Sequence, residues 1–153
     1  MREAVGTTWI FQLVLVFVLI FAAYLALTVN YSKSFRVKNE VLTVIEKNEG
    51  LTNKALTTIN NYLYTNNYNQ KGRCPDGWYG VSDLTSMRYE EVANKKYYWC
   101  FYKNTGYHTS MSGRAYYKIK MFFRFELPMI GQITTFDVDG QTYEMDNTYD
   151  GIS

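Results

Sequence analysis

Residues 9–29 read WIFQLVLVFVLIFAAYLALTV, and this stretch decides the architecture. No charged residue lies between Glu3 and Lys33, and within the run only Gln12 and Thr28 are clearly polar. At about 1.5 Å of rise per residue, such a helix spans roughly 31 Å, the thickness of a bilayer's hydrocarbon core. Trp9 stands near one end, and Tyr24 and Tyr31 toward the other, as interfacial anchors do. A buried helix of a soluble core seldom runs so long without a charge. A cleaved signal sequence has a shorter apolar region, about 7 to 15 residues, ending in an A-x-A-like site. Ala22, Ala23 and Ala26 make no clean A-x-A. The run is therefore read as a transmembrane helix in contact with membrane lipid, after a short flank over residues 1–8.

The flanking charges and the cysteines point in opposite directions. Arg2 precedes the run, while Lys33, Arg36 and Lys38 follow it, and counting positives places the C-terminal side inside. A cysteine pair favours an oxidising outside. The orientation adopted is a cytoplasmic N-terminus and an extracytoplasmic C-terminal domain, in a single-pass cell membrane protein. The three basic residues fall short of a polybasic cluster and read first as a solvated helix face, with anionic lipid as the alternative.

Outward from the apolar run, residues 30–71 form an amphipathic helical stem. Phe35, Val37, Val41, Leu42, Val44 and Ile45 include several i, i+3 and i+4 pairs, with charges between them. No Gly or Pro interrupts residues 9–47, so one helix is expected from membrane to domain. Gly50 is expected to supply the left-handed residue that ends it. Leu51, Ala55, Ile59 and Leu63 recur every four residues and predict a second helix over about 52–64. Residues 65–72 are polar and turn-rich.

Residues 72–153 change period. Ala115, Tyr117, Ile119, Met121, Phe123, Phe125 and Leu127 alternate with mostly polar neighbours, which predicts a long half-buried strand. Residues 96–103 form an aromatic strand, joined to it through residues 104–114 as an antiparallel pair. A third strand is expected over about 132–138, a hairpin turn at Asp139-Gly140, and a fourth strand over 141–145. The fold class is α+β: a long N-terminal transmembrane helix continues into an amphipathic stem, packed on a C-terminal antiparallel sheet.

The 153 residues carry 16 Lys and Arg against 14 Asp and Glu, a net charge of +2. That balance excludes a dedicated nucleic-acid binder. One histidine and two cysteines are too few for a Cys/His zinc site, and no metal or cofactor is expected. The acidic residues after Arg124 do not follow an EF-hand spacing and read as a solvated edge. His108 lies near Ser110 and Ser112 in a Gly- and Ser-rich loop, with no glycine-flanked nucleophile elbow. No catalytic set emerges, and the chain is read as not an enzyme. Cys74 and Cys100, 26 residues apart, read as a disulfide outside the cell, with two free thiols as the alternative. Aromatics reach 18%. Trp78, Tyr98, Tyr102 and Tyr116 are candidates for a binding surface, although half of any two-sided sheet must face a core.

A short N-terminus, an uncharged helix, an amphipathic stem and a compact antiparallel sheet together resemble the type IV pilin-like group, including the TadE-like pseudopilins of bacteria. Gly6 followed by Thr7-Thr8-Trp9-Ile10-Phe11-Gln12 looks like a degenerate pilin start, with the cut after Gly6 and Thr7 as the new N-terminus. Pilins carry a glutamate five residues after the cut, where this chain has Phe11, and Gln12 follows. Residues 127–131 and 136–142 look similar to tails of TadE-like proteins. The resemblance implies a structural subunit of a surface filament or secretion apparatus, with other pilin-like or assembly subunits as partners. Gln12, Leu13 and Phe17 would then pack against neighbouring helices. The alternative is a permanently anchored module whose aromatic sheet holds a glycan or a protein.

Overall fold

The computed structural model describes residues 2–105, 114–127 and 131–146. Helix α1 spans Arg2–Lys47, 46 residues without a break and about 69 Å long at the standard rise. Its two halves live in different surroundings. From Trp9 to Val29 the large side chains are exposed, and the apolar stretch packs against nothing within the molecule. From Ser34 onward one face is buried, through Val37, Val41, Val44 and Ile45, on the i, i+3, i+4 spacing of a core-facing helix.

The end of α1 differs from the glycine cap expected. Glu49 adopts the left-handed conformation at φ 53°, and Gly50 is the residue after it. The Glu49 N–H donates to Glu46 O and the Gly50 N–H to Ile45 O, the paired bonds of a Schellman motif. Helix α2, Asn53–Thr65, begins at Thr52, whose hydroxyl accepts from the Ala55 N–H. It ends by the same device, with Asn67 left-handed and the Tyr68 N–H donating to Leu63 O. Ala55, Leu56, Ile59 and Leu63 form its buried face.

The strands are β1 (Tyr79–Val81), β2 (Glu90–Glu91), β3 (Trp99–Thr105), β4 (Arg114–Leu127), β5 (Gly131–Gln141) and β6 (Met145–Asp146). They pair antiparallel in the order β2-β1-β3-β4-β5, and β6 also pairs with β4. The long alternating strand and its pairing with the aromatic strand are as the sequence predicts, and α1 packs on β4 and β5. Tyr117, Ile119, Met121 and Phe123 pack in the core shared with the helices, together with Trp99, Phe101 and Val81.

Asp139-Gly140 is not a hairpin turn. Strand β5 runs through it, with Asp139 opposite Lys120 and Gly140 opposite Ile119. The glycine serves helix packing instead: a Cβ at 140 would lie 2.9 Å from Leu42 Cδ1 and 3.1 Å from Lys38 Cδ. The expected fourth strand is accordingly only β6, which resumes pairing along β4 after residues 142–144. Thr142 bridges the interruption, because its hydroxyl accepts from the Tyr117 N–H and its own N–H donates to Tyr117 O. The loop holding His108, Ser110 and Ser112, and the segments 128–130 and 147–153, lie outside the described residues.

Candidate functional site

Helical geometry sets what the apolar half of α1 can present. At about 100° per residue, Leu13 and Phe17 share a face, while Gln12 stands roughly 100–140° away from them. The same arithmetic aligns Gln12, Val16, Leu19, Ala23 and Ala26 with Val37 and Val41, the stripe that carries the domain. Leu13 and Phe17 are 61% and 65% exposed. Thr28 satisfies its hydroxyl within the helix, donating to Tyr24 O. Gln12 makes no such bond among the described residues, so its amide is the one clearly polar group of the run without an internal partner. Gly6 and Thr7 both lie inside α1 near its start, and Gly6 is exposed. One N-terminal helix is thus long and apolar enough to cross a membrane.

The sheet's other face divides into a covered and an open part. Cys74 and Cys100 are disulfide-bonded, with Cα atoms 5.9 Å apart. The bond pins the segment around residues 72–78 over a small second core of Tyr97, Cys100 and Phe122, with Trp78 and Val92 against it. Gly72 permits this crossing, since any Cβ there would run into the Phe122 ring. Gly77, at φ 78°, turns the chain so that the Trp78 N–H meets Pro75 O.

Beyond this cover the sheet is open. Trp78 and Tyr102 approach with ring centroids 5.9 Å apart. Tyr116 follows on the same face, its hydroxyl accepting from the Asn104 amide and its ring under the Lys118 ammonium. A groove of about 530 Å³ runs between Pro75 and Trp78 on one side and Lys118, Lys120, Asp139 and Gln141 on the other. Tyr98 does not join this group. Alternation breaks before β3: Tyr97 turns to the outer small core while Tyr98 packs on the main core beneath the Lys71 ammonium.

Lys120 is the electrostatic centre of the open face. Its ammonium lies 2.6 Å from Asp137 and 3.3 Å from Asp139, both contributed by β5. Burial works against its charge, but the Asp137 hydrogen bond and the Asp139 carboxylate outweigh that and raise its pKa. The Lys120 bond holds the Asp137 carboxyl below its ordinary value against a smaller effect of burial. The chain sequence alone shows no cation among these acids; strand pairing brings it from β4.

Among the described residues no group of three His, Cys, Asp or Glu side chains converges to hold a metal. Tyr68 has a strongly perturbed hydroxyl, raised well above its ordinary value by burial, with its bond to Phe122 acting against this. That hydroxyl is consumed by backbone bonds to Phe122 and Tyr98. No family model, curated protein or solved structure matches this chain.

Proposed function

We propose that the chain is a non-enzymatic, membrane-anchored, pilin-like or TadE-like subunit of a bacterial surface filament or secretion apparatus, assembling through its N-terminal helix. One observation carries the reading: a single continuous helix has one half built into a folded domain and the other half, apolar apart from Gln12 and Thr28, covered by nothing. Lipid satisfies that surface in the isolated subunit, and neighbouring helices satisfy it in an assembly. The Gln12 amide, costly in hydrocarbon, gains a hydrogen-bond partner only in the second state. The disulfide supports an extracytoplasmic domain and a cytoplasmic N-terminus.

The intact mass and N-terminal sequence of protein extracted from its native membrane test the processed form. A mature chain beginning at Thr7 supports prepilin-type cleavage after Gly6. A chain that retains residues 1–6 rejects cleavage and leaves an unprocessed accessory subunit. A second reading rests on the open face: the Trp78–Tyr102 pair beside the groove suits a permanently anchored module that holds a glycan or a protein. That module works as an isolated subunit, whereas the pilin-like reading requires helix-to-helix contact.

A further inference from the structure

A second concavity, of about 270 Å³, lies where α1 leaves its apolar stretch. Lys33 comes from α1 and Arg124 from β4, while Asn67, Asn69 and Gln70 come from the segment after α2. The lining contains two cations, several amides and no acidic side chain. Neither Lys33 nor Arg124 has an ion-pair partner among the described residues. Val37 and Phe123 form an apolar floor. At the nearby C-terminus of α2, the carbonyls of Tyr62, Leu63 and Tyr64 are already bonded to the N–H groups of Asn66, Tyr68 and Asn67.

The other juxtamembrane cations are directed elsewhere. Lys38 lies over the Phe35 ring, and Arg36 acts on the Tyr62 hydroxyl. Position along the helix then identifies the occupant. Val29 closes the apolar run, and Lys33 stands about 6 Å further along the axis. The headgroup layer of one leaflet is roughly 5–8 Å thick. Two basic residues with amide donors at that depth suit the phosphate of a lipid whose acyl chains would run down the exposed apolar half of α1.

We propose that this corner binds the phosphate of an anionic phospholipid headgroup in the leaflet on the domain's side of the membrane. The proposal rests on membrane anchoring by residues 9–29, but not on filament assembly. A bound headgroup would fix the tilt and rotation of α1, and so the face that the domain presents along the membrane.

The test uses the full chain in nanodiscs containing phosphatidylglycerol and phosphatidylcholine, with retained lipid read by native mass spectrometry. The wild type should retain phosphatidylglycerol preferentially. Lys33→Gln with Arg124→Gln should weaken that preference about thirtyfold, near fivefold for each basic residue at an anionic surface. Arg36→Gln should leave it unchanged. Equal retention of both lipids by the wild type would overturn the proposal, as would an equal loss from Arg36→Gln, which marks diffuse attraction. Excess inorganic phosphate separates the two sources of the anion. Line broadening of its phosphorus resonance that needs Lys33 and Arg124, with no lipid preference, would show a free-phosphate site and overturn the headgroup assignment. Release of the wild type by alkaline carbonate would overturn the anchoring itself, whereas carbonate resistance without lipid preference overturns only this site.

Discussion

Tyr68→Phe removes one oxygen and should cost far more than its size implies. The β3–β4 ladder ends at Trp99 opposite Met121, and the next rung would join Tyr98 to Phe122. The Tyr68 hydroxyl occupies that rung. It accepts from the Phe122 N–H at 2.8 Å and lies 2.6 Å from Phe122 O and 3.0 Å from Tyr98 O, either of which its proton reaches. Phenylalanine keeps the ring against Phe123 but leaves the Phe122 N–H without a partner. Two lost bonds at about 1 kcal/mol each, plus part of the desolvation cost of the orphaned N–H, give about 2–3 kcal/mol. With an m-value near 2 kcal/mol/M, the urea midpoint should fall by roughly 1–1.5 M. The assay is urea unfolding of the full chain in detergent micelles, followed by the fluorescence of buried Trp99. Tyr117→Phe is the control, because its hydroxyl is buried without a partner among the described residues and its removal should be neutral or stabilising. A Tyr68→Phe midpoint equal to wild type, or a larger loss from Tyr117→Phe, would refute the reasoning.

Three other outcomes follow from the same packing. Replacing Cys74 and Cys100 by serine frees a 26-residue loop and should cost roughly 3.5 kcal/mol by chain entropy, read as a lower thermal midpoint. Gly140→Val forces Leu42 and Lys38 aside at the α1–β5 contact and should cost about 1–3 kcal/mol in the same measurement, despite valine's better strand propensity. The Asp137 carboxyl is depressed by Lys120, so its contribution is present above the unfolded carboxylate pKa and is lost as pH falls through the folded value, below about pH 4. Asp137 is half exposed, so the effect is under about 1 kcal/mol, and Lys120→Gln should remove that part of the acid sensitivity of the urea midpoint.

Periodicity carried the parts of the fold that bury one face over many residues. The apolar stretch over 9–29, the 37–41–44–45 stripe of α1, the face of α2 and the alternation along β4 are each repeated signals, and the structure realises each. Features set by a single tertiary contact were not legible. Asp139-Gly140 has the composition of a turn, yet Gly140 is there to admit Leu42 and Lys38. Strands β1 and β2, of three and two residues, are defined by pairing and carry no period of their own. Glu49 in a left-handed conformation was hidden by the adjacent Gly50. The aromatic candidates were legible in residue type but not in placement. Trp78, Tyr102 and Tyr116 lie on the open face, whereas a break in alternation between Tyr98 and Trp99 sends Tyr98 to the other side. The corner of Lys33 and Arg124 joins residues 91 positions apart, and only the packing of β4 beside α1 brings them to one concavity.

The central claim is that the uncovered half of α1 exists to meet other helices. It is tested most directly by placing a photo-crosslinking amino acid at Phe17 in the full chain, expressed in its native cell, and illuminating intact membranes. A ladder of protein adducts is expected, at multiples of the subunit mass or with a second single-pass membrane protein. The same probe at exposed Tyr64 of the domain should give a different or weaker pattern. Adducts to lipid alone at Phe17 would contradict the claim and leave a permanently anchored, solitary domain.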